Sequence, residues 1–279
     1  MGIKSIRDIG EKFYKNNPSI RPFVDTVRKK KPDVAHFEGW GMTTNHEHPW
    51  NDQYQGEIFR QASQKIKNEI EFVDKEETGY ENKKRIDLLL WRHWNISYAV
   101  RFSLEFSETT EYNFVECGVG EGITSFFILS ELDAKREIRD RCALHLYDAW
   151  ASMKEENLVE GEKEYAGRYS GLSIQRTKDN LSKFSIKINF NPGYLPESLY
   201  SNNSPEKICF LHIDLNSSKP TLGTLEFFYS RLVKGGTIVF DDYAHSGYED
   251  TKKVIDRFFY KKTGLLQKLP TGQAIYYMH

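Results

Sequence analysis

YNFVECGVGEG, residues 112–122, runs from apolar to acidic to glycine-rich. An apolar strand that closes on glycines just before a helix is how α/β folds receive a nucleotide-like ligand. Downstream the chain keeps a strand–helix rhythm. Tyr112–Cys117 reads as the first strand, Gly122–Leu132 as a helix, and Ala143–Tyr147 as a second strand ending at Asp148. A helix over Gly171–Phe184 and a third strand over Ser185–Phe190 follow. KICFLHI, residues 207–213, is a near-continuous apolar run, the mark of a strand covered on both faces, and it ends at Asp214. A helix is expected over Thr221–Leu232. Gly235 and Gly236 then turn the chain into TIVF, which ends at Asp241 and Asp242. A helix over Tyr248–Tyr260 precedes two last strands, Leu265–Leu269 and Ala274–Tyr277, with a hairpin signal between them. Such alternation predicts an α/β fold: a mostly parallel sheet, helices on both faces, and an antiparallel edge strand from the terminal hairpin.

Upstream of residue 80 the rhythm is absent. Phe59, Ala62, Ile66, Ile70 and Val73 recur at helical spacing, so Ile58–Asp74 reads as a helix. Asn82–Glu105 reads as one longer helix with Ile86, Leu89, Leu90, Trp94, Ser97 and Tyr98 on a shared face, packing across the sheet without a catalytic role. Arg28–Lys31 reads as a solvated turn. Gly39–Gln53 has no periodicity and reads as a lid or substrate-contact loop. His46 and His48 flank Glu47 there, but no third metal ligand is near in sequence. Trp40, Trp50 and Tyr54 suit stacking on a ring.

A net charge of −1 gives no reason to expect a polyanionic partner, so nucleic acid is not anticipated. Cys117, Cys142 and Cys209 show no metal-type spacing and fit a reducing compartment. There is no apolar run near membrane-spanning length and no secretory pattern, so a cytoplasmic protein without a membrane partner is expected. A homo-oligomer stays open.

In a parallel sheet, ligands bind outside the carboxyl ends of the strands. The residues expected there are Glu116–Gly122, Asp148, Asn191–Ser198, Asp214–Lys219 and Asp241–His245. Gly118, Gly120 and Gly122 allow close backbone approach. Their GxGxG spacing departs from the dinucleotide GxGxxG, with Ile123 at the last position, which disfavours a nicotinamide-dependent reductase. Glu116 and Glu121 make a poor environment for pyrophosphate and a tolerable one for a cationic sulfonium ligand. Asp148 is placed to accept from ribose hydroxyls. Asp214, Asp241 and Asp242 close two successive strands. Carboxylates brought together repel unless a cation or protons intervene, and hard oxygen ligands suit Mg²⁺, with Ca²⁺ as the alternative.

FVECGVGEG, LYDAW, GYLPESL, FLHIDLNSSKPT, LVKGGTIVFDDYAH and LPTGQA occur in this order. Together they resemble the macrocin O-methyltransferase (TylF/MycF/NovP-type) family, from about Asn82 to the C-terminus. The resemblance implies a class I, Rossmann-like methyltransferase domain over residues 81–279 with a seven-stranded sheet. Residues 1–80 would be an extension serving as acceptor cap or lid. It also implies S-adenosylmethionine and a divalent metal, Mg²⁺ foremost, as cofactors, and a sugar or glycosylated small molecule as acceptor. Carried over residue by residue, Asp214, Asp241 and Asp242 become metal ligands. Glu116, Gly118, Gly120, Gly122, Asp148, Gly193 and Tyr194 become cofactor contacts.

The chain departs from the family at Asn216, where a second acid is common, at Ser217–Pro220, and in lacking an arginine after the first glycine turn. Asp214 is the expected proton acceptor, with His245 as the alternative base. A non-sugar acceptor such as a catechol, or a non-catalytic S-adenosylmethionine-binding subunit, are the rival readings.

Overall fold

The structure is a computed structural model that describes residues 47–70, 82–201 and 204–279. Arg28–Lys31, Trp40, His46 and most of the Gly39–Gln53 loop lie outside the described residues, as does the end of the helix expected to reach Asp74. Glu47–His279 forms one compact unit, so the described part of the expected N-terminal extension packs within it.

Strands β1 (Tyr112–Cys117), β2 (Cys142–Asp148), β3 (Lys187–Pro192), β4 (Ile208–Ile213), β5 (Leu232–Phe240), β6 (Leu265–Lys268) and β7 (Ala274–Tyr277) form one seven-stranded sheet in the order β3-β2-β1-β4-β5-β7-β6. The first five are parallel, and β7 runs antiparallel between β5 and β6. The order reverses between β1 and β4, which opens the crevice where ligands of such sheets bind.

Every residue of β4 is buried, which is why it reads as an unbroken apolar run. Side chains alternate between two cores. Phe114, Phe210 and Val239 point into one, and Val115, Leu211 and Ile238 into the other. β3 starts two residues later than expected and runs through Pro192. It is an edge strand paired only with β2 from Ala143 to Asp148, and a proline is tolerated where no second neighbour needs its N–H.

Helices α1 (Glu57–Glu69), α2 (Asn82–Leu88), α3 (Leu90–Phe106), α4 (Ile123–Ala134), α5 (Ile174–Leu181), α6 (Ser198–Ser201), α7 (Ser218–Tyr229) and α8 (Glu249–Phe259) cover the sheet. α1 buries Phe59, Ala62 and Ile66, the stripe its spacing predicts, and Phe59 stacks on Phe127 of α4 at 4.8 Å. The single helix expected over Asn82–Glu105 is two. Leu89 leaves helical geometry at φ −98°, ψ 4°, and its N–H bonds Ile86 at 3.1 Å, a tightened last turn that ends α2. α3 is buried around most of its circumference, through Trp94, Ile96, Val100 and Leu104. Its Ser103 hydroxyl meets Thr237 of β5 at 2.8 Å. Tyr98, expected on the packed face, is half exposed. Among the described residues, no helix is long and apolar enough to cross a membrane.

Candidate active site

A cavity of about 620 Å³ lies along the carboxyl ends of β1, β2, β4 and β5, within the size range of small-molecule sites. Gly118, Gly120, Asp148, Gly193, Tyr194, Asp214, Asp241, Asp242 and His245 all line it. Two sequence-predicted contacts do not. Glu116 is 1% exposed, accepts from the Ser125 hydroxyl of α4, and lies 3.4 Å from His212 Nδ1. Strand alternation turns its side chain under the sheet, where burial pushes its carboxyl up and His212 opposes the shift. Gly122 starts α4 and packs against Thr177 and Leu181 of α5.

The glycine turn sits directly on the end of β4. A β-carbon on Gly118 would lie 1.8 Å from the Asp214 carbonyl oxygen. Asp148 holds the same turn from the other side. Its Oδ2 accepts from the N–H of Val119 at 2.7 Å and of Gly120 at 2.9 Å, and its Oδ1 accepts from Trp150 N–H at 2.6 Å. A carboxylate offers about four acceptor positions, so Oδ1 keeps capacity for a ribose hydroxyl. Gly193 continues this wall, its N–H bonded to the Asp148 carbonyl at 2.9 Å. Tyr194 anchors to the Ser152 carbonyl at 2.9 Å, and Lys154 lies 4.3 Å over its ring.

Asp214, Asp241 and Asp242 come together as expected: one oxygen of each lies within 4.8 Å of the others. Hard oxygen donors in this number and spacing fit a Mg²⁺-type ion, and the repulsion among them shows on Asp242. Burial, then Asp214 and Asp241, push the Asp242 carboxyl well above the usual carboxylate range. Burial acts on Asp241 too, but the Arg92 guanidinium and His212 outweigh it and hold that carboxyl well below the usual range.

Arg92 is the principal surprise. Its helix, read as mere packing, carries a guanidinium to the acids. Nε donates to Asp241 Oδ1 at 2.6 Å and Nη2 to Asp214 Oδ2. Burial works against its charge, but Asp241, Asp214 and Asp242 together raise its pKa. Gln273, at the head of β7, donates to Asp241 Oδ1 at 2.9 Å. His212 Nε2 is 3.9 Å from Asp241 Oδ1, too long for a hydrogen bond, so that link is Coulombic. Burial alone would lower the His212 pKa, but Asp241 and Glu116 lift it to about 9.

Asn216, where the family commonly has an acid, adopts φ +53°. Its N–H bonds Asp242 Oδ2 at 2.9 Å and its side-chain amide reaches Asp214 Oδ1 at 3.4 Å. Its own Oδ1 accepts from Tyr248 at 2.6 Å and Tyr169 at 3.2 Å. An amide donates where a fourth carboxylate would repel. His245 lines the cavity and packs its ring on Gly272.

Arg92, His212, Tyr248 and Gln273 escaped the sequence reading. The available signal for Arg92 was WRHW: an arginine inside an apolar helix, with an acid cluster downstream lacking a counter-charge.

Comparison with known proteins identifies the family and the fold. The macrocin O-methyltransferase (TylF) family model matches residues 103–269. No curated protein matches the chain. Among solved structures, the O-methyltransferase NovP superposes with TM-score 0.59 at 18% identity, covering 68% of this chain and 80% of NovP. CalS11, calicheamicin methyltransferase, gives TM-score 0.56 at 14% identity, covering 86% of this chain and 98% of CalS11. An apo form of CalS11, described as a TDP-rhamnose 3'-O-methyltransferase, gives TM-score 0.51. With the family match spanning more than half its length, the chain belongs to the macrocin O-methyltransferase family and is an S-adenosylmethionine-dependent O-methyltransferase.

Proposed function

We propose that this enzyme is metal-dependent, with Asp214, Asp241 and Asp242 holding Mg²⁺, and that it methylates a hydroxyl of a sugar or glycosylated small molecule. The observation that carries the metal reading is the convergence of the three carboxylates, one oxygen from each within 4.8 Å of the others, at the rim of the cavity lined by the glycine turn. A sugar acceptor is favoured by CalS11, a TDP-rhamnose 3'-O-methyltransferase.

Gly118, Gly120 and Asp148 would hold S-adenosylmethionine, which when bound would supply an electrophilic methyl group. Asp214, Asp241 and Asp242 would hold the metal, whose Lewis acidity would make a sugar hydroxyl easier to ionise. The chain's own residues align the two reactants, because in-line transfer depends on that geometry. Asp214, the proton acceptor expected from the sequence, accepts a charge-assisted hydrogen bond from Arg92 Nη2. His245, on the wall of the same cavity, takes the hydroxyl proton. We assign residues 1–80 the role of acceptor cap. In support, Trp50 lies edge-on to Trp91 at 4.9 Å, and Trp91 lines the cavity.

The test is Asp241→Asn, or excess chelator on the wild type. Methyl transfer should fall below detection while calorimetric binding of S-adenosylhomocysteine persists. Undiminished turnover in chelator would reject the metal role.

A further inference from the structure

The aspartate cluster already holds a cation, the Arg92 guanidinium, bonded to Asp241 Oδ1 at 2.6 Å and to Asp214 Oδ2. We propose that Arg92 is a resident counter-charge whose guanidinium must leave Asp214 and Asp241 before a divalent ion can bind, so that metal affinity is set by competition with the chain's own arginine. This rests on the metal reading above.

The geometry argues for competition. The guanidinium takes oxygens from two of the three carboxylates that form the candidate ligand set. An oxygen accepting a charge-assisted N–H bond at this range has its lone pair directed at the donor. A divalent ion drawing on the same two carboxylates would also face a neighbouring positive charge in a partly desolvated site, where repulsion is poorly screened.

The same geometry shows how the arginine can move. The side chain of Arg92 is 24% exposed and lines the cavity, so its head has space to swing. Its main chain is held: Gln273 Nε2 lies 3.3 Å from the Arg92 carbonyl while also bonding Asp241. Displacement is therefore a side-chain rotation, with α3 in place.

Two measurements test this, neither reading turnover. In the first, Mn²⁺ is titrated calorimetrically into wild type and Arg92→Met. The expected result is at least tenfold tighter binding to the variant, including the case where only the variant binds; equal or weaker binding overturns the proposal. Removing a positive charge would itself tighten binding, so the second measurement uses wild type alone. Phenylglyoxal labelling of Arg92 is followed by peptide mass spectrometry with and without saturating Mn²⁺. Labelling should speed up several-fold with Mn²⁺, and an unchanged or slower rate overturns displacement even if Arg92→Met does not fold. Mn²⁺ binding to neither protein sinks the metal reading and this proposal together. Equal affinity for both sinks only the competition.

Discussion

Gly118→Ala should damage the enzyme far more than a one-carbon change suggests. The residue sits at φ +85°, and the new carbon would lie 1.8 Å from the Asp214 carbonyl oxygen. The left-handed backbone costs an alanine about 1–2 kcal/mol. Relieving the clash means parting the turn from β4. That strains the Gly118 N–H bond to Tyr147 O and the Asp214 N–H bond to Cys117 O, both 2.9 Å. A buried hydrogen bond left unmade costs about 1–3 kcal/mol, so the loss totals about 3–8 kcal/mol, against a typical total stability of about 5–15 kcal/mol. Gly167→Ala is the internal control: φ is +82° but nothing lies within 4 Å of the added carbon, so only the conformational cost applies. Urea denaturation of both variants separates the two contributions, and calorimetry with S-adenosylhomocysteine reads the turn directly. Gly118→Ala should lose binding and Gly167→Ala should retain it. If the two variants unfold within about 1 kcal/mol of each other, the close approach of turn and strand end is wrong.

Three further outcomes are expected. Arg101 pairs bidentately with Glu131, at 2.8 and 2.6 Å, and the Glu131 side chain is 3% exposed. Arg101→Met should therefore cost about 3–5 kcal/mol, and adding Glu131→Met should restore most of it; equal urea midpoints for the single and double variants would refute the buried pair. Phe127→Ala removes a fully buried ring stacked on Phe59 and His93 and should cost about 3–5 kcal/mol, so a loss under about 1 kcal/mol would deny that α1 is seated on α4. His145 provides a pH test. Burial, then Lys187, lower its pKa to about 4, and Asn113 and Asn189 bond its two ring nitrogens at 3.2 and 3.4 Å. The folded state favours the neutral ring, so this contribution is intact above the unfolded pKa near 6.5 and is lost as pH falls through about 4, amounting to about 3 kcal/mol. Urea midpoints between pH 7 and 4 should drop less in His145→Gln than in wild type, and identical slopes would contradict the assignment.

The sheet was legible because its signals are local. β4 is buried on both faces and reads as an apolar run, and β2, β4 and β5 run out at Asp148, Asp214 and Asp241, which mark the ligand edge. The three aspartates followed from the same logic. Glu116 did not, because proximity to the turn says nothing about which face a side chain takes; its register beside His212 decides that. Arg92 was hidden for a different reason. It lies 122 residues from Asp214 and 149 from Asp241, so no sequence spacing joins them. The break at Leu89 was equally silent, since Ile86–Tyr98 keeps helical spacing across it.

Asp148 has two allegiances. Its carboxylate fastens the backbone of the glycine turn through Val119 and Gly120, and the same group faces the cavity where a nucleoside would lie. Swapping it to alter cofactor preference would therefore slacken the loop in the same stroke. Lost affinity in an Asp148 variant reports a sagging cradle as readily as a missing ribose contact. Redesign of donor specificity in this enzyme has to begin from neighbours that touch the ligand space without bracing its floor.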